Sequence, residues 1–443
     1  MSVTEQYRIR AANAAQLVES VEAGVADGAL SPGQRLPSVR RLALELGLSP
    51  GTVAAGLAEL RRRGVVQTEL RRGARIGSAP PIGGPRAPLP VPPGARDLSR
   101  GNPDPALLPD LRDALTRPQA PARLYGEPAV SPELAALASR QLRADGIPGD
   151  ALCVVSGALD GIERVLEAHL RAGDRVAVEN PGYAALYDLL RAHGLLLEAV
   201  AVDERGMRPA ELQRALARGA RAVVITPRGQ NPTGALLDAG RARELRAVLA
   251  GVPRTLVIED DHLGLLAGSK LHTTVTGAQR WAATRSVSKA LGPDLRLAVL
   301  AGDAQTVARV QGRQQCGPGW VSHILQSLVL CLWSDARVRS LVKQANAIYA
   351  GRRHELLRRL RAHGVGATGA SGLNVWVPVT DETGVVGALL QRGWVVAPGA
   401  PYRLAPTGPA VRVTIATLTA PEAERLAADL AEAIAPARSA RSG

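Results

Sequence analysis

One lysine, in a segment that also contains serine and arginine, could do covalent chemistry. Lys289 lies in RSVSKALGPDLR, before the apolar run RLAVLAGD, so we expect it where a buried strand ends and a loop begins. Ser286, Ser288 and Arg296 would place two hydroxyls and a guanidinium near its amine, which suits an anionic phosphate. A lysine whose pKa is lowered by burial and nearby cations becomes a nucleophile toward aldehydes and forms Schiff bases. The segment predicts a lysine that binds pyridoxal phosphate (PLP), although the motif alone also fits a solvated lysine after a turn.

Other polar residues follow predicted strands at different points of the chain. Asn231 comes after RAVVI, and its amide could donate to a phenolate oxygen. Asp260 ends TLVIED, where a carboxylate could keep a pyridine nitrogen protonated. Tyr183 follows RVAVEN and could stack on a flat ring, while the amides of Gly157 and Ala158 open a helix and could face an anion. Taken singly, each also fits an ordinary turn, a core tyrosine or a strand-to-helix connection.

Metal binding is the competing interpretation of the successive carboxylates in VIEDDHLG. His262 follows them directly, but no histidine or cysteine recurs at ligand spacing, so we predict no metal site. His262 is expected either to be a structural histidine or to contact the oxygen of a bound ring. The three cysteines lack metal spacing and are an odd number, which indicates reduced thiols.

The residues that could do this chemistry lie in a long segment of alternating strand and helix patterns. That alternation predicts an α/β domain with a largely parallel sheet, whose ligands collect at the carboxyl ends of the strands. The preceding stretch SAPPIGGPRAPLPVPPGAR is rich in proline and glycine without periodicity, which is typical of a linker. We expect a first domain at 1–78, a linker at 79–97 and a second domain at 98–443. The second domain is expected to have a large part at about 98–320 and a small part at about 321–443.

The first 78 residues have the pattern of a DNA-binding unit. Apolar positions from Thr4 to Ala26 predict a first helix, and Ser38 and Ser49 could cap a second and a third. Two helices joined by a tight turn can place one of them in the major groove, and VVQTELRRGARIG predicts two strands around a basic turn. The residues that we expect to contact DNA are Arg35, Ser38, Arg40, Ser49, Thr52, Arg71, Arg72 and Gly73.

Charge and hydropathy narrow the functional classes. The formal net charge of +14 favours a nucleic acid or another polyanion, although an arginine-rich composition also arises from genomic base bias. No apolar run approaches the roughly 20 residues that cross a bilayer, and the amino terminus lacks the apolar core of a signal peptide. A cytoplasmic protein is therefore expected.

The segment Gly28 to Val53, GxLxxGxRLPSxRxLAxxLGLSxxTV, resembles the winged helix-turn-helix of GntR-type bacterial repressors. Such repressors often carry an arginine or asparagine where this chain has Pro50 and Gly51. Arg35, Arg40 and Thr52 are therefore the better candidates for contacts with DNA.

The motifs SGA, PGY, NPTG, DDH, SxSK and R follow one another in an order that resembles the fold-type I PLP aminotransferases. The resemblance covers Leu98 to the carboxyl terminus and implies that Lys289 carries PLP as a Schiff base. It implies further contacts from residues at the ring, the phosphate and a substrate carboxylate. Those at the ring are Asp260 at the pyridine nitrogen, Asn231 at the ring oxygen and Tyr183 stacked on the ring. Those at the phosphate are Gly157, Ala158, Ser286, Ser288, Arg296 and, from the neighbouring subunit, Tyr125, whereas Arg412 would bind the carboxylate.

A winged helix-turn-helix, a linker and an aminotransferase-like domain on one chain resemble the MocR/GabR branch of the GntR regulators, especially its PtsJ-type members. The resemblance implies a homodimer with swapped domains that binds a double-stranded DNA operator. It implies that the protein controls vitamin B6 metabolism with PLP, or an adduct of PLP with an amino compound, as effector. The alternative is an active aminotransferase with an accessory DNA-binding domain. His262 stands where a tyrosine is usual in the family, which disfavours efficient transamination and favours a regulator.

Overall fold

The computed structural model describes residues 7, 9–31, 33–62, 65–69, 73–77, 89–116 and 124–435. The chain divides into two compact units. The smaller, amino-terminal unit contains the described residues up to 77 together with residues 170–175 and 185–197, and the much larger second unit contains the rest. None of the helices in the described ranges combines the length and apolar character that crossing a membrane requires.

Three helices and a two-stranded sheet lie in the described part of residues 7–77. The helices are α1 (Ala14–Ala26), α2 (Val39–Leu46) and α3 (Pro50–Arg62), and the strands are β1 (Val66–Glu69) and β2 (Gly73–Ile76). Leu17, Leu42 and Leu57, one from each helix, are at most 1% exposed in a shared core. The prediction that α1 begins at Thr4 is wrong, because the side chain of Asn13 accepts a hydrogen bond from the amide of Gln16 and so caps the helix there.

The connection between α2 and α3 is a tight turn, as predicted. Gly47 ends α2 in the left-handed region at φ 65°, which glycine adopts without steric cost. α3 begins at Pro50, where the missing amide of proline costs the helix no hydrogen bond. β1 and β2 are antiparallel, with Val66 opposite Ile76, and form the two strands of the predicted wing.

An eight-stranded sheet forms the centre of the second unit, with the strand order β4-β11-β10-β9-β8-β5-β6-β7. β8, β9 and β10 are parallel neighbours, whereas β10 and β11, β11 and β4, and β6 and β7 are antiparallel. The strands are β4 (Leu152–Val155), β5 (Arg175–Asn180), β6 (Leu196–Asp203), β7 (Gly206–Met207), β8 (Ala220–Ile225), β9 (Leu256–Asp261), β10 (Arg280–Ser286) and β11 (Ala298–Gly302).

Smaller strands and the remaining helices make up the rest of the described chain. β12 (Asn374–Pro378), β15 (Ala410–Thr414) and β14 (Ala397–Pro398) form a three-stranded antiparallel sheet, and β3 (Arg96–Asp97) pairs in parallel with β13 (Trp394–Val395). The helices are α4 (Arg112–Leu115), α5 (Pro132–Ala144), α6 (Ala158–His169), α7 (Ala184–Ala192), α8 (Pro209–Ala217), α9 (Ala239–Ala250), α10 (Ser288–Leu291), α11 (Ala304–Gln315), α12 (His323–Ser334), α13 (Ala336–Ala362), α14 (Glu382–Gln391) and α15 (Ala420–Ile434). One position differs from expectation, since Lys289 lies in the short helix α10 and not in a loop.

Candidate functional site

The carboxyl ends of β8, β9 and β10 bring the predicted polar residues to one edge of the sheet. Asn231 follows β8, Asp260 and His262 lie at the end of β9, and Lys289 follows β10. Because these three strands are adjacent and parallel, their carboxyl ends meet at that edge. Residues that are 29 positions apart in the sequence therefore share one site.

Lys289 has the properties of a nucleophilic amine. Its Nζ donates a hydrogen bond to the carbonyl oxygen of Gly101 at 2.6 Å, and its side chain is half-buried. Burial, together with the positive charge of Arg412, lowers the pKa of Lys289 to about 8. A larger fraction of this amine is therefore neutral near pH 7 than in an exposed lysine.

Two adjacent carboxylates at the end of β9 have different surroundings. Asp261 accepts from the guanidinium groups of Arg228 at 2.8 Å and Arg285 at 2.9 Å. Burial alone would raise the pKa of Asp261, but these two cations hold it at about 2. Asp261 is therefore an anion that is neutralised within the fold, and its two arginine partners were not recognised from the sequence.

Asp260, in contrast, forms no ion pair within the described ranges. It is 6% exposed and accepts a long hydrogen bond of 3.4 Å from the hydroxyl of Thr284. Burial and the neighbouring charge of Asp261 raise the pKa of Asp260 to about 7. A buried carboxylate without a cation fits a ligand that brings a positive charge of its own, such as a protonated ring nitrogen.

Tyr183 and His262 complete the surroundings of these groups. Burial and the nearby carboxylate of Asp260 raise the pKa of the half-buried Tyr183. Burial and the charge of Lys289 lower the pKa of His262 to about 4, so the imidazole is neutral at physiological pH. The pKa of Tyr183 thus responds to the charge at the end of β9, and the pKa of His262 responds to the charge of the lysine that follows β10.

Arg412, on β15, is a buried cation that no carboxylate neutralises in the part of the chain that the structure describes. It is 4% exposed, its Nη1 donates to the side-chain oxygen of Asn231 at 3.0 Å, and its Nη2 donates to the carbonyl oxygen of Ser99. Its guanidinium carbon lies 5.0 Å from the centre of the Tyr402 ring. The Nε atom has no hydrogen-bond partner among the described residues. This arrangement fits a ligand carboxylate, which a guanidinium can bind with two hydrogen bonds.

The contact between Arg412 and Asn231 also orients the Asn231 amide. Because its side-chain oxygen accepts from Arg412, its NH₂ group remains as the donor. That is the donor that a phenolate oxygen requires. Ser99, Gly101 and Tyr402, which also contact Lys289 or Arg412, were missed because nothing in their local sequence marks them.

The predicted phosphate residues lie where β4 leads into α6, where β10 leads into α10 and, for Arg296, just before β11. Gly157 precedes α6 at φ 114°, and a Cβ atom there would lie 2.9 Å from Nη2 of Arg296. The same Nη2 donates to the carbonyl oxygen of Ser156 at 3.3 Å. Glycine thus allows a guanidinium to lie against the backbone at a helix amino terminus, where amides favour an anion. Ser288 donates its amide to the hydroxyl of Ser286 at 3.2 Å, and Ala158 is the first residue of α6.

Tyr125 is not brought to this site within a single chain. Its side chain is 93% exposed, and its ring contacts Trp320 edge-on at a centroid distance of 5.5 Å. The role predicted for Tyr125 requires a second subunit.

Among the predicted DNA-contacting residues that the structure describes, Arg35 precedes α2, the others of the helical part lie at the starts of α2 and α3, and Gly73 lies on the wing. The Ser38 hydroxyl accepts from the amide of Arg41 at 3.3 Å, and the Ser49 hydroxyl accepts from the amide of Thr52 at 3.1 Å, so both serines cap helices. Arg35 and Arg40 are exposed. Gly73 is the first residue of β2, whereas Arg71 and Arg72 lie outside the described residues.

The residues of the second unit fit PLP. The ring nitrogen would meet the uncompensated carboxylate of Asp260, and the phosphate would meet the cradle at Gly157 that a Cβ atom would obstruct. The aldehyde would meet an amine whose pKa is already lowered. The set of donors and acceptors is thus complementary to each polar group of this cofactor.

Comparison with known proteins agrees with the two-part organisation. The aminotransferase class I and II family matches residues 96–430, and the gntR family of bacterial regulatory proteins matches residues 13–76. The chain is 41% identical over 427 residues to the vitamin B6 salvage pathway transcriptional repressor PtsJ of Salmonella typhimurium, covering 95% of this chain and 98% of that protein. It is 33% identical over 258 residues to the pyridoxine biosynthesis transcriptional regulator PdxR of Corynebacterium glutamicum, covering 56% and 55% of the two chains.

Solved structures confirm the fold predicted for the second domain. The α-aminoadipate aminotransferase LysN of Thermus thermophilus has a TM-score of 0.66 at 20% identity and covers 77% of this chain and 92% of its own. The kynurenine aminotransferase of Pyrococcus horikoshii has a TM-score of 0.69 at 21% identity and covers 77% and 91%. At such low identity the likeness shows the fold alone, which is that of the fold-type I aminotransferases.

Proposed function

Because this chain belongs to the MocR/GabR branch of the GntR regulators, we propose that it is a DNA-binding transcriptional regulator of vitamin B6 metabolism that responds to PLP. The observation that carries the proposal is the 41% identity to a vitamin B6 repressor along nearly the whole of both chains. The domains that we propose are the DNA-binding domain at 1–78, the linker at 79–97 and the PLP-binding domain at 98–443. A regulator of this kind acts on the chromosome, which supports the cytoplasm as its location.

The residues at the edge of the sheet support PLP as the ligand. When bound, PLP supplies an aldehyde that reacts reversibly with amines and a ring that withdraws electrons. Lys289 would hold the aldehyde end, Asp260 would hold the ring nitrogen, and Tyr183 would cover the ring. Asn231 and His262 would contact the ring oxygen. The phosphate would be held by Gly157, Ala158, Ser286, Ser288 and Arg296.

Arg412 supports an amino compound with a carboxylate as part of the effector. Its buried guanidinium lies beside Asn231 and lacks a carboxylate partner among the described residues. A ligand carboxylate at this point would place the amine of the same compound near Lys289, since the charge of Arg412 influences the pKa of that lysine. The effector would then be PLP with or without an amino compound.

The alternative is an active aminotransferase. It is favoured by the presence of both Lys289, for PLP, and Arg412, for a substrate carboxylate. The neutral His262 at the position where a tyrosine is usual opposes it, as do the two regulators among the relatives. Steady-state turnover with amino-acid donors and keto-acid acceptors separates the two functions. Sustained multiple turnovers would establish the enzyme, whereas a regulator gives at most one half-reaction for each site.

An exposed apolar patch supports a homodimer. Leu124 is 69% exposed, Tyr125 93% and Ile324 68%, and Tyr125 contacts Trp320. We propose that a second copy of the chain covers this patch and receives Tyr125 at its own phosphate site, in a dimer with swapped domains. Sedimentation of the full chain tests the dimer, and weaker PLP binding by Tyr125→Ala tests the shared site.

The exposed positions at the start of α2 and α3 support contacts with DNA from the residues predicted in the sequence. We propose that Arg35, Arg40 and Thr52 face the groove and that Ser38, Ser49 and Gly73 lie against the backbone of the duplex. Arg71 and Arg72 would contact phosphates. Replacing either of these two with alanine should weaken binding to every sequence and reduce its salt dependence, because fewer counterions are released.

The proposal is tested by fluorescence anisotropy with DNA from upstream of the chain's own gene and of vitamin B6 salvage genes. We expect a specific complex whose affinity changes on addition of PLP. Lys289→Ala should still bind the DNA but should no longer respond to PLP. Binding that ignores both the DNA sequence and PLP would refute the regulatory function.

A further inference from the structure

A cavity lies in the larger unit, and none of the residues predicted to bind PLP lines it. Its volume is about 710 Å³, which is within the range of roughly 300–1,000 Å³ that is typical of small-molecule sites. Its walls come from α13, from the short helix Gly264–Ala267 after β9 and from the segment before β12. The cavity is therefore large enough for a small organic molecule.

One face of α13 makes the cavity cationic. Arg339, Lys343 and Arg353 line it, and no aspartate or glutamate is among the lining residues. Arg339 and Lys343 are four positions apart and so lie next to each other on the helix, where two like charges destabilise it. None of the three forms an ion pair within the described part of the chain. The helix thus holds neighbouring positive charges at a concave surface without neutralising them.

Arg353 is the deepest of the three cations. It is half-buried, whereas Arg339 and Lys343 are exposed, and its Nη1 donates to the carbonyl oxygen of Gly372 at 2.9 Å. Burial lowers the pKa of Arg353. This guanidinium is partly desolvated, and a carbonyl oxygen is its only acceptor among the described residues. It can therefore bind an additional anionic group.

The remaining walls of the cavity combine aliphatic side chains with polar ones such as Gln141, Ser269 and Ser371, and two polar atoms there are unused. Leu265, Leu332 and Val342 contribute aliphatic surface. Trp333 and Asn346 also line the cavity, and the indole nitrogen of Trp333 and the side-chain oxygen of Asn346 are buried without a hydrogen-bond partner among the described residues. Aliphatic surface, cations at one side and unused polar atoms together indicate a ligand that is both apolar and charged.

We infer that this cavity binds a small organic anion, in which a phosphate or carboxylate group is attached to an aromatic or aliphatic body. Lys343 and Arg353 bind the anionic group, and the leucine and valine side chains contact the body. Leu291 also lines the cavity and lies on α10, the short helix that carries Lys289. A ligand here would contact the element that carries the lysine while leaving the PLP residues free.

The test uses 1-naphthyl phosphate and 1-naphthoate as probes, with 1-naphthol as the uncharged analogue. Each is titrated calorimetrically into the full chain that has been loaded with PLP and then freed of excess PLP, so that the PLP residues around Lys289 are occupied and the cavity is not. We expect one molecule per chain for at least one of the two anions, and at least tenfold weaker binding of naphthol. The preferred anion identifies the acidic group.

Three variants locate the probe. Lys343→Met removes an exposed charge, and Ala347→Phe fills the cavity from an exposed position of α13 without a change in charge. Both should weaken binding at least tenfold. Arg361→Met is the matched control, because Arg361 is an exposed cation on the same helix that does not line the cavity. It should leave the affinity unchanged.

The inference is overturned if neither anion binds, or if naphthol binds as tightly as the anions, since the site would then be an apolar groove. It is also overturned if Arg361→Met weakens binding as much as Lys343→Met, since the general positive charge of the chain would then explain the affinity. Absorbance of bound PLP and the thermal midpoint show that each variant is folded.

Discussion

The lowered pKa of Lys289 leads to a quantitative prediction about the capture of PLP. At pH 7 an amine with a pKa of about 8 is roughly 10% neutral, whereas the ordinary value of 10.5 leaves about 0.03% neutral. Since the neutral amine is the nucleophile, the environment should raise the fraction of the reactive form near pH 7 by about 300-fold and so increase the capture rate. The rate should increase with pH and level off above about pH 8.

The two causes of this pKa can be separated by mutation. Burial is the larger cause and the charge of Arg412 the smaller one, so Arg412 accounts for less than half of the difference between 10.5 and about 8. Arg412→Met removes the charge but keeps a long side chain in place. The midpoint of the pH profile should therefore move up by about one pH unit or less.

Stopped-flow absorbance of the full chain mixed with PLP at a series of pH values measures this midpoint. Arg361→Met, which removes an exposed cation elsewhere, is the control and should leave the midpoint unchanged. A wild-type midpoint near 10 would refute the argument from burial. A midpoint that does not rise in Arg412→Met would refute the contribution of Arg412.

Four further predictions concern the two carboxylates of β9, the phosphate cradle and the DNA-binding unit. Asp261→Asn should destabilise the chain by about 3–5 kcal/mol in urea unfolding, because the buried guanidinium of Arg228 loses its anion and that of Arg285 keeps only Asp145. Between about pH 4 and pH 7 the Asp260 carboxyl is protonated in the folded chain without PLP but ionised in the unfolded chain, because folding raises its pKa. The free energy of unfolding should therefore fall as the pH rises through this range. Asp260→Asn should therefore stabilise the chain without PLP at pH 8 yet weaken PLP binding, and an unfolding profile in which Asp260→Asn loses stability at pH 8 would contradict this sign. Gly157→Ala should weaken PLP binding at least tenfold in an absorbance titration, whereas Gly219→Ala, with a similar positive φ but no atom within 4 Å, should bind PLP normally. Arg40→Ala should cost about 1–3 kcal/mol in anisotropy with the specific operator and less with random DNA, and an equal loss on both would exclude reading of a base.

Much of the fold could be predicted because its signals are local. In the amino-terminal unit, Ser38, Gly47 and Ser49 mark helix ends through hydrogen bonds and backbone angles that involve only a few neighbouring residues. The start of α1 was misplaced because an apolar period continues before Ala14, while the cap at Asn13 decides where the helix begins. Periodicity reports which face is apolar and gives no position for the first turn.

The part of the candidate site that is formed by polar residues at strand ends could be predicted from the sequence. Lys289, Asp260 and Asn231 each follow a short apolar run, and in a parallel sheet such positions meet at one edge. Arg412 was found through the resemblance to aminotransferases, but its contact with Asn231 joins positions far apart in the chain. The cavity along α13 was not predicted, because its cations lie in a helix that looks like an ordinary solvated one.

Asp260 and Asp261 illustrate which properties the sequence determines and which depend on the tertiary structure. The sequence by itself determined that two carboxylates stand together at the end of an apolar strand, and that neighbours on a strand point to opposite faces of the sheet. Only the tertiary structure decided which face carries Arg228 and Arg285 and which carries no cation. The reason is that the charge state of a buried carboxylate depends on groups brought close by the packing of distant segments, and Coulomb interactions depend on distance in space.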